Sequence, residues 1–195
     1  YELSDESPLG SAAVAGTSVP LDREYSASLL GFSRVSQNAL ESTTSRDFII
    51  ETLSCLTLIA LILSSLSEEL VTFSSEEFTL IEFPDEFSAT SSIMPQKRNP
   101  VVVEISRTKL AELLSLLTSA TVMVTRQVSG YSLDLQQITP KLWQALEIME
   151  KTLHMMTKLI PSLKINKDRC MAACSPPTGV VEVANYLSLK HKIPF

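Results

Sequence analysis

The stretch LSCLTLIALIL, Leu53–Leu63, is the most apolar part of this 195-residue chain. It lies inside a longer segment, from Arg46 to about Phe73, that contains neither glycine nor proline, which predicts one long α-helix. From Cys55 onward the apolar run covers nearly all sides of that helix, as is typical of a helix buried at the centre of a bundle. Because the run is shorter than the roughly 20 residues that a membrane span needs, we expect no membrane association.

Two further long helices are predicted on the C-terminal side of this segment. One begins at Pro100, with Asn99 as its N-cap, and runs to about Gln127. The other runs from about Pro140 to Ile160, and its apolar residues alternate in steps of four and three, which predicts a seam against a neighbouring helix. The residues of this seam are Leu142, Leu146, Met149, Leu153, Met156 and Ile160. Three such helices predict an all-α fold, a long antiparallel helical bundle.

Shorter helices are predicted around the three long ones. They are Asp22 to Leu30, ended by Gly31; Asn166 to Cys174, capped by Asn166; and an amphipathic last helix, capped by Thr178 and ending near Lys190. We therefore predict two regions. Residues 1–160 form part of a central helical-bundle domain that carries a polar loop at 88–99, and residues 161–195 begin a small helical C-terminal domain.

Composition and charge exclude several classes of partner. The chain has a formal net charge of −6 and a pI near 5.0. It lacks the clustered lysines and arginines that phosphate-backbone binding requires, so we expect no nucleic-acid partner. A small-molecule ligand is the expected partner.

Reactive side chains outside the polar loop have simple structural interpretations. An odd number of cysteines, with Cys55 acting as a small hydrophobe, favours a reducing compartment and a cytoplasmic location. Cys170 and Cys174 lie one helical turn apart, but no His or third Cys is close in sequence, so we predict packing rather than a metal site. Trp143 is interpreted as a packing residue and His154 as a partly buried helix residue.

The polar stretch SSIMPQKRNP, residues 91–100, separates two apolar segments. It ends at the predicted N-terminus of a long helix, where free N–H groups favour an anion, and Lys97 adds a positive charge. Neutral hydrogen-bonding groups come from Ser91, Ser92, Gln96 and Asn99. From the residues alone, the loop is either a cradle for a carboxylate or phosphate or an ordinary solvated loop with a good helix cap.

This stretch, read together with the preceding Thr90, also resembles the signature of the fumarase/aspartase superfamily, usually written G-S-S-x-M-P-x-K-x-N. Every fixed position matches except the first, where Thr90 replaces Gly. Gln96, between Pro95 and Lys97, is similar to the argininosuccinate lyase branch of the superfamily. Three further segments resemble that branch: PLGSAAVAGTSVPLDRE (8–24), NALESTTSRDF (38–48, with departures at Ala39, Glu41 and Ser45) and SGYSLDLQQITP (129–140).

The resemblance implies a β-elimination that releases fumarate from argininosuccinate, and we expect neither a cofactor nor a metal. It implies that Ser91 is the base that removes a proton next to a carboxylate. Lys97 and Asn99, with the helix N-terminus, would then stabilise the doubly charged aci-carboxylate that results. Ser92 is a further candidate for substrate binding in the same loop.

Two more substrate-binding residues, Tyr131 and Gln136, follow from the third resembling segment. The lysine that many members carry three residues after that glutamine falls at Thr139 here, and Lys141 is the candidate substitute. Arg46 and Asp47 form either an ion pair that positions the loop or a plain surface pair.

The resemblance covers only the C-terminal part of a full-length lyase, because two family regions that precede it, one containing T-G-R-S-R-N-D and one a catalytic His, have no counterpart here. The isolated chain is therefore expected to be inactive. The family implies a homotetramer with active sites shared between subunits. Three interpretations stay open: an argininosuccinate lyase of arginine biosynthesis, another superfamily lyase of the adenylosuccinate type, or a non-catalytic structural homologue.

Overall fold

A computed structural model describes residues 3–125, 128–174 and 179–194 of the chain. The α-helices, in chain order, are α1 (Arg23–Leu30), α2 (Ala39–Thr44), α3 (Asp47–Phe73), α4 (Val101–Val124), α5 (Thr139–Ser162), α6 (Lys167–Ala173) and α7 (Val180–His191). Two 3₁₀ turns lie at Asp85–Phe87 and Leu133–Gln137. These elements confirm the predicted all-α class.

Short two-residue strands form three pairs that the sequence analysis did not predict. The strands are β1 (Glu6–Ser7), β2 (Arg34–Val35), β3 (Ile81–Glu82), β4 (Ala89–Thr90), β5 (Arg98–Asn99) and β6 (Lys164–Ile165). β1 pairs with β2 in parallel, whereas β3 pairs with β6 and β4 with β5 antiparallel. Each pair joins segments outside the long helices, so the strands fix loops rather than build a sheet.

The long helix α4 begins one residue later than predicted. The Pro100 carbonyl accepts hydrogen bonds from the amides of Val103 (3.1 Å) and Glu104 (3.2 Å), which places Pro100 at the cap position. The prediction that Asn99 is the N-cap is therefore wrong, because Asn99 lies in β5 instead. α4 ends at Val124, and the predicted end at Gln127 lies outside the described residues.

The chain divides into two compact units. The first comprises residues through Ser65 together with Ser106–His154, and the second comprises Leu66–Ile105 together with the residues from Met155 onward. Both units contain parts of α3, α4 and α5. This division does not test the predicted domain boundary after residue 160, which stays a prediction.

The hydrophobic core of the first unit is built from α3, α4, α5 and the 3₁₀ turn that precedes α5. Its buried members are Ile49, Leu53, Ala60, Leu113, Leu116, Ala120, Leu135, Ile138, Ala145 and Met149. In the second unit the buried apolar residues include Leu70, Phe83, Val103, Met156 and Leu159. Burial of these side chains is the main favourable term in the stability of each unit.

The buried stripe of α5 differs from the predicted seam. Met149 and Met156 are buried as predicted, but Leu146, Leu153 and Ile160 are each about 40% exposed (37%, 41% and 42%). The stripe that is buried consists of Ala145, Met149, Thr152, Met156 and Leu159. It keeps the alternating steps of four and three, but it includes small and polar residues that an apolar-residue count passes over.

The prediction that α3 is buried on nearly all sides is wrong for this chain. Leu58 and Ile62 are 62% and 68% exposed, and Cys55 on the same face is also exposed. The reason is geometric, since the core covers only the stripe that includes Leu53 and Ala60. Among the described helices, α3 alone is long and apolar enough to cross a membrane by length and composition, with 22% of its most apolar window buried. The sequence analysis counted only residues 53–63 and therefore underestimated the length of the apolar helical segment.

Several local predictions are confirmed at the ends of the short helices. The Asp22 side chain accepts the Tyr25 amide at the start of α1, and Gly31 ends that helix in the left-handed conformation. Asn166 caps α6 by accepting the Arg169 amide. α7 begins at Val180, and its predicted cap, Thr178, lies outside the described residues.

Two single-residue predictions on α5 are wrong. Trp143 is 63% exposed rather than packed. His154 lies on α5 as predicted, but it is exposed rather than partly buried. Both side chains lie outside the buried stripe of α5. The apolar pattern of the helix did not reveal their exposure.

Candidate functional site

The polar loop is the tip of a small hairpin. β4 and β5 pair with Ala89 opposite Asn99 and Thr90 opposite Arg98. The next residues along the two strands are Ser91 and Lys97, so they begin and end the loop side by side. Inside the loop, the Lys97 amide donates to the Met94 carbonyl at 3.0 Å, which closes a turn. The two predicted catalytic residues are thus brought to the same end of the hairpin.

The Ser91 hydroxyl oxygen lies over the backbone of the loop that follows it. It accepts hydrogen bonds from the amides of Ile93 and Met94, each at 3.3 Å. Ser91 is half-buried, while the side chains from Ser92 to Lys97 are exposed. Two N–H groups directed at one oxygen stabilise negative charge on it.

The other predicted residues of the loop have different surroundings. Ser92 and Lys97 are exposed and able to meet a ligand from solvent. Asn99 is half-buried, and its position is set by the strand pairing with Ala89. The loop thus offers a cation and hydroxyl or amide groups on one hairpin, a combination suited to a carboxylate.

Tyr131 and Gln136 lie together in the first unit. The Gln136 side-chain amide donates a hydrogen bond to the Tyr131 hydroxyl, and both residues are exposed. Gln136 lies in the 3₁₀ turn Leu133–Gln137, and Tyr131 precedes that turn; Leu135 and the following Ile138 anchor the turn in the core at 1% and 0% exposure. The buried leucine and isoleucine therefore direct the tyrosine and glutamine outward as a pair.

Thr44 supports the backbone beside Tyr131, and the sequence analysis did not single it out. Its hydroxyl donates to the Gly130 carbonyl and accepts the Gly130 amide, both at 2.9 Å. Gly130 has φ +102°, a conformation that side chains rarely adopt, and a Cβ there would lie 3.3 Å from the Val14 Cγ1 atom. These contacts fix the backbone immediately before Tyr131. The signal was available, since both residues lie in segments that resemble the lyases.

Arg46 lies at the turn that precedes α3, in the same unit as Tyr131. Its guanidinium donates to the carbonyls of Thr43 (3.3 Å) and Ser45 (2.6 Å). Burial lowers the pKa of Arg46 below its usual value, and the nearby Tyr131 phenol acts in the opposite direction. Arg46 thus braces the turn before α3 close to Tyr131. Its pairing with Asp47 stays a prediction.

The six predicted site residues divide between the two units. Ser91, Ser92, Lys97 and Asn99 belong to the second unit, and Tyr131 and Gln136 belong to the first. Thr139 begins α5, and Lys141 is half-buried in the first turn of that helix. The substitution of Lys141 for the lysine of other members stays a prediction.

No metal centre is formed by the side chains of the described ranges, 3–125, 128–174 and 179–194, where no three His, Cys, Asp or Glu residues are grouped to hold an ion. Cys170 is partly buried, with its sulfur 3.8 Å from the Leu80 carbonyl oxygen, and Cys174 is exposed. All three cysteines are free thiols.

Comparison with known families matches residues 3–114 to a lyase family. Curated relatives include the argininosuccinate lyases of Thermus thermophilus (40% identical, covering 100% of this chain and 42% of that protein) and Clostridium perfringens (42% identical, 97% and 41%). That of Methanothermobacter thermautotrophicus is 37% identical over 98% of this chain and 41% of its own length. The chain spans about two fifths of the length of these relatives.

Solved structures show the same fold. EDDS lyase in complex with formate superposes with a TM-score of 0.86 and 28% identity, over 100% of this chain and 39% of that one. A variant of the same enzyme was solved with bound fumarate. Class II fumarase from Schistosoma mansoni superposes with a TM-score of 0.74 and 18% identity, over 86% of this chain and 40% of its own, which shows the fold alone.

Proposed function

We propose a function from one premise: this chain belongs to the lyase family. The proposed function is the β-elimination of argininosuccinate to arginine and fumarate, carried out by a longer protein of which this chain is the C-terminal portion. The observation that carries the proposal is the hairpin that sets Ser91 beside Lys97, in a chain about 40% identical to argininosuccinate lyases. The isolated chain is proposed to be inactive, because it spans only part of its relatives.

In the proposed reaction, the Ser91 oxygen removes a proton from the carbon next to a substrate carboxylate. The electron pair of that C–H bond forms the C=C bond of fumarate, and the C–N bond to the guanidino group breaks. The nitrogen leaves with the bonding pair and receives a proton from an acid, which the family resemblance assigns to a segment outside this chain. No oxidant or cofactor is needed for this balance.

Two features of the hairpin support Ser91 as the base. A free serine hydroxyl is a poor base, so its anion must be stabilised before it can act. The amides of Ile93 and Met94 point at its oxygen and supply that stabilisation. Proton abstraction then places a second negative charge on the substrate carboxylate, and Lys97 at the other end of the loop is the group proposed to meet it.

Substrate recognition is proposed for Ser92, Asn99, Tyr131 and Gln136. The Tyr131–Gln136 pair presents a hydroxyl oxygen and an amide that suit the polar amino-acid half of argininosuccinate. Thr90 and Thr139 depart from the family pattern, which keeps a second candidate open, a superfamily lyase with an aspartate-like or adenylosuccinate-type substrate. A non-catalytic structural homologue is the third.

The test is fumarate release, followed by its absorbance, from the full-length protein that contains this chain. Release is expected from argininosuccinate and not from adenylosuccinate, while this chain alone releases none. Release from adenylosuccinate alone would replace the first proposal by the second. A folded full-length protein that releases fumarate from neither substrate would support the third candidate, a non-catalytic structural homologue.

We also propose a homotetramer whose active sites are shared between subunits, in the cytoplasm. The exposed stripe of α3, with Cys55, Leu58 and Ile62 at helical steps of three and four, supports an assembled helix bundle, because a monomer would leave this apolar face in water. The opposite stripe of α3 is buried in the chain's own core, which favours protein rather than lipid around this helix. The free thiols support a reducing compartment.

Ile62→Glu in the full-length protein is expected to convert the tetramer to smaller species, because a buried unpaired carboxylate opposes association. The measurement is molar mass by light scattering. Glu69→Lys, an exposed change on the same helix, is the matched control and is expected to leave the mass unchanged. A monomeric wild-type protein would contradict the proposed assembly.

A further inference from the structure

The base of the catalytic hairpin is tied to neighbouring segments through Arg98. This residue lies in β5, directly after Lys97 and opposite Thr90. Its guanidinium Nη1 forms an ion pair with Asp85 in the 3₁₀ turn and lies 3.6 Å from Glu82 Oε1 in β3. Both carboxylates belong to the segment that leads into the hairpin, so Arg98 fastens the end of the loop to its beginning.

The same carboxylate continues the connection to the C-terminal part of the chain. Glu82 Oε1 lies 3.8 Å from the Lys164 ammonium in β6, and Glu82 and Lys164 are also backbone partners in the β3–β6 pair. Three successive ion pairs join four side chains of alternating charge: Asp85, Arg98, Glu82 and Lys164. Glu82 thus connects β6, which precedes α6, with Arg98 of the hairpin.

A cavity of about 420 Å³ lies against this base of the hairpin. Its lining includes Ser88, Arg98 and Pro100 from the two ends of the hairpin and Glu82 and Lys164 from the β3–β6 pair. Side chains do not fill this space, so close packing does not hold the hairpin on that side. On this side the contacts of the hairpin include the ion pairs of Arg98 and the pairing of β4 with β5.

We infer that Arg98 is a positioning residue, which holds the loop from Ser91 to Lys97 in its active conformation through Asp85 and Glu82. The catalytic consequence rests on the proposed function, whereas the effect on the loop does not. Arg98 touches neither substrate nor reacting atoms in this role. Its side chain is 51% exposed, and exposed ion pairs contribute little to global stability, so the effect should be confined to the hairpin.

The first readout is amide hydrogen exchange of residues 89–99 in the full-length protein. Arg98→Ala and Asp85→Asn are each expected to speed exchange in the loop by about two- to fivefold, the change expected when exposed pairs of this kind are lost. Arg98→Lys is expected to restore part of the protection, because it keeps the charge. Lys151→Ala, which removes an exposed ion pair with Glu147 on α5 (2.5 Å), is the matched control and should leave the loop unchanged.

The second readout is the rate of fumarate release from argininosuccinate. Arg98→Ala is expected to lower kcat by about two- to fivefold with an unchanged melting temperature and a smaller change in KM, and Arg98→Lys to recover part of kcat. Unchanged loop exchange in both Arg98→Ala and Asp85→Asn would overturn the inference, as would faster exchange with an unchanged kcat. If the wild-type protein releases no fumarate, the proposed function fails, and loop exchange alone decides whether Arg98 positions the hairpin.

Discussion

Replacing Ser91 by alanine in the full-length protein is expected to lower kcat for fumarate release by about 10²–10⁴-fold, the usual contribution of a positioned general base. KM is expected to change much less, because the groups proposed to bind the substrate carboxylates stay in place. The measurement is steady-state fumarate release from argininosuccinate.

The alanine variant also removes an acceptor from the loop backbone. The amides of Ile93 and Met94 lose the Ser91 oxygen, but Ile93 is 88% exposed and water can replace that oxygen at little cost. Retained binding of fumarate, measured by calorimetry, would show that the loop keeps its shape. Loss of activity with retained binding would then be chemical rather than structural.

The matched control is Ser115→Ala. Ser115 is an exposed serine on α4 whose hydroxyl donates to the Glu112 carbonyl, so the same atom is removed far along the chain from the hairpin. This variant is expected to keep full activity. A Ser91→Ala enzyme with undiminished turnover would reject Ser91 as the base and leave the hairpin as a binding loop.

Helix ends were predictable because their determinants are local. The Asp22 cap and the Gly31 end of α1 depend on residues within one turn, and the same is true of Asn166 at α6. Asn99 shows the limit of this reasoning. Asn followed by Pro has the composition of a helix start, but strand pairing with Ala89, ten positions earlier, takes precedence and the helix begins after Pro100.

Burial was less predictable because it depends on which face a neighbour covers. In α5 the buried stripe passes through Ala145 and Thr152, where small side chains allow close approach, while the larger Leu146 and Leu153 stay half-exposed. In α3 apolar residues lie on both faces, so hydropathy alone does not tell which face is buried. Only the positions of α4 and α5 decide which stripe this chain buries.

The candidate site was predictable as a set of residues but not as an arrangement. The signature resemblance identified Ser91 and Lys97, and the structure adds that a two-residue strand pair sets them side by side. The contacts of Thr44 and Arg98 join segments that are apart in sequence, such as the Thr44–Gly130 pair. No spacing along the sequence reveals such contacts, so these supporting residues required the structure.

Lys97→Met in the full-length protein is expected to lower kcat/KM by about 10²–10³-fold, as for the loss of a group that stabilises transition-state charge.

The magnitude of this loss decides where the ammonium lies during the reaction. In bulk water two unit charges 4 Å apart interact by about 1 kcal/mol, which corresponds to roughly a fivefold effect. A hundredfold or larger loss therefore requires that water be excluded around Lys97, although its side chain is exposed in this chain. That exclusion is the contribution expected of the further segments and subunits that we propose to complete the site. Lys97→Arg should recover part of the activity because it keeps the charge, and Lys158→Met, an exposed change on α5, is the control expected to have no effect. A loss of fivefold or less would place Lys97 in solvent and assign the developing charge to another group.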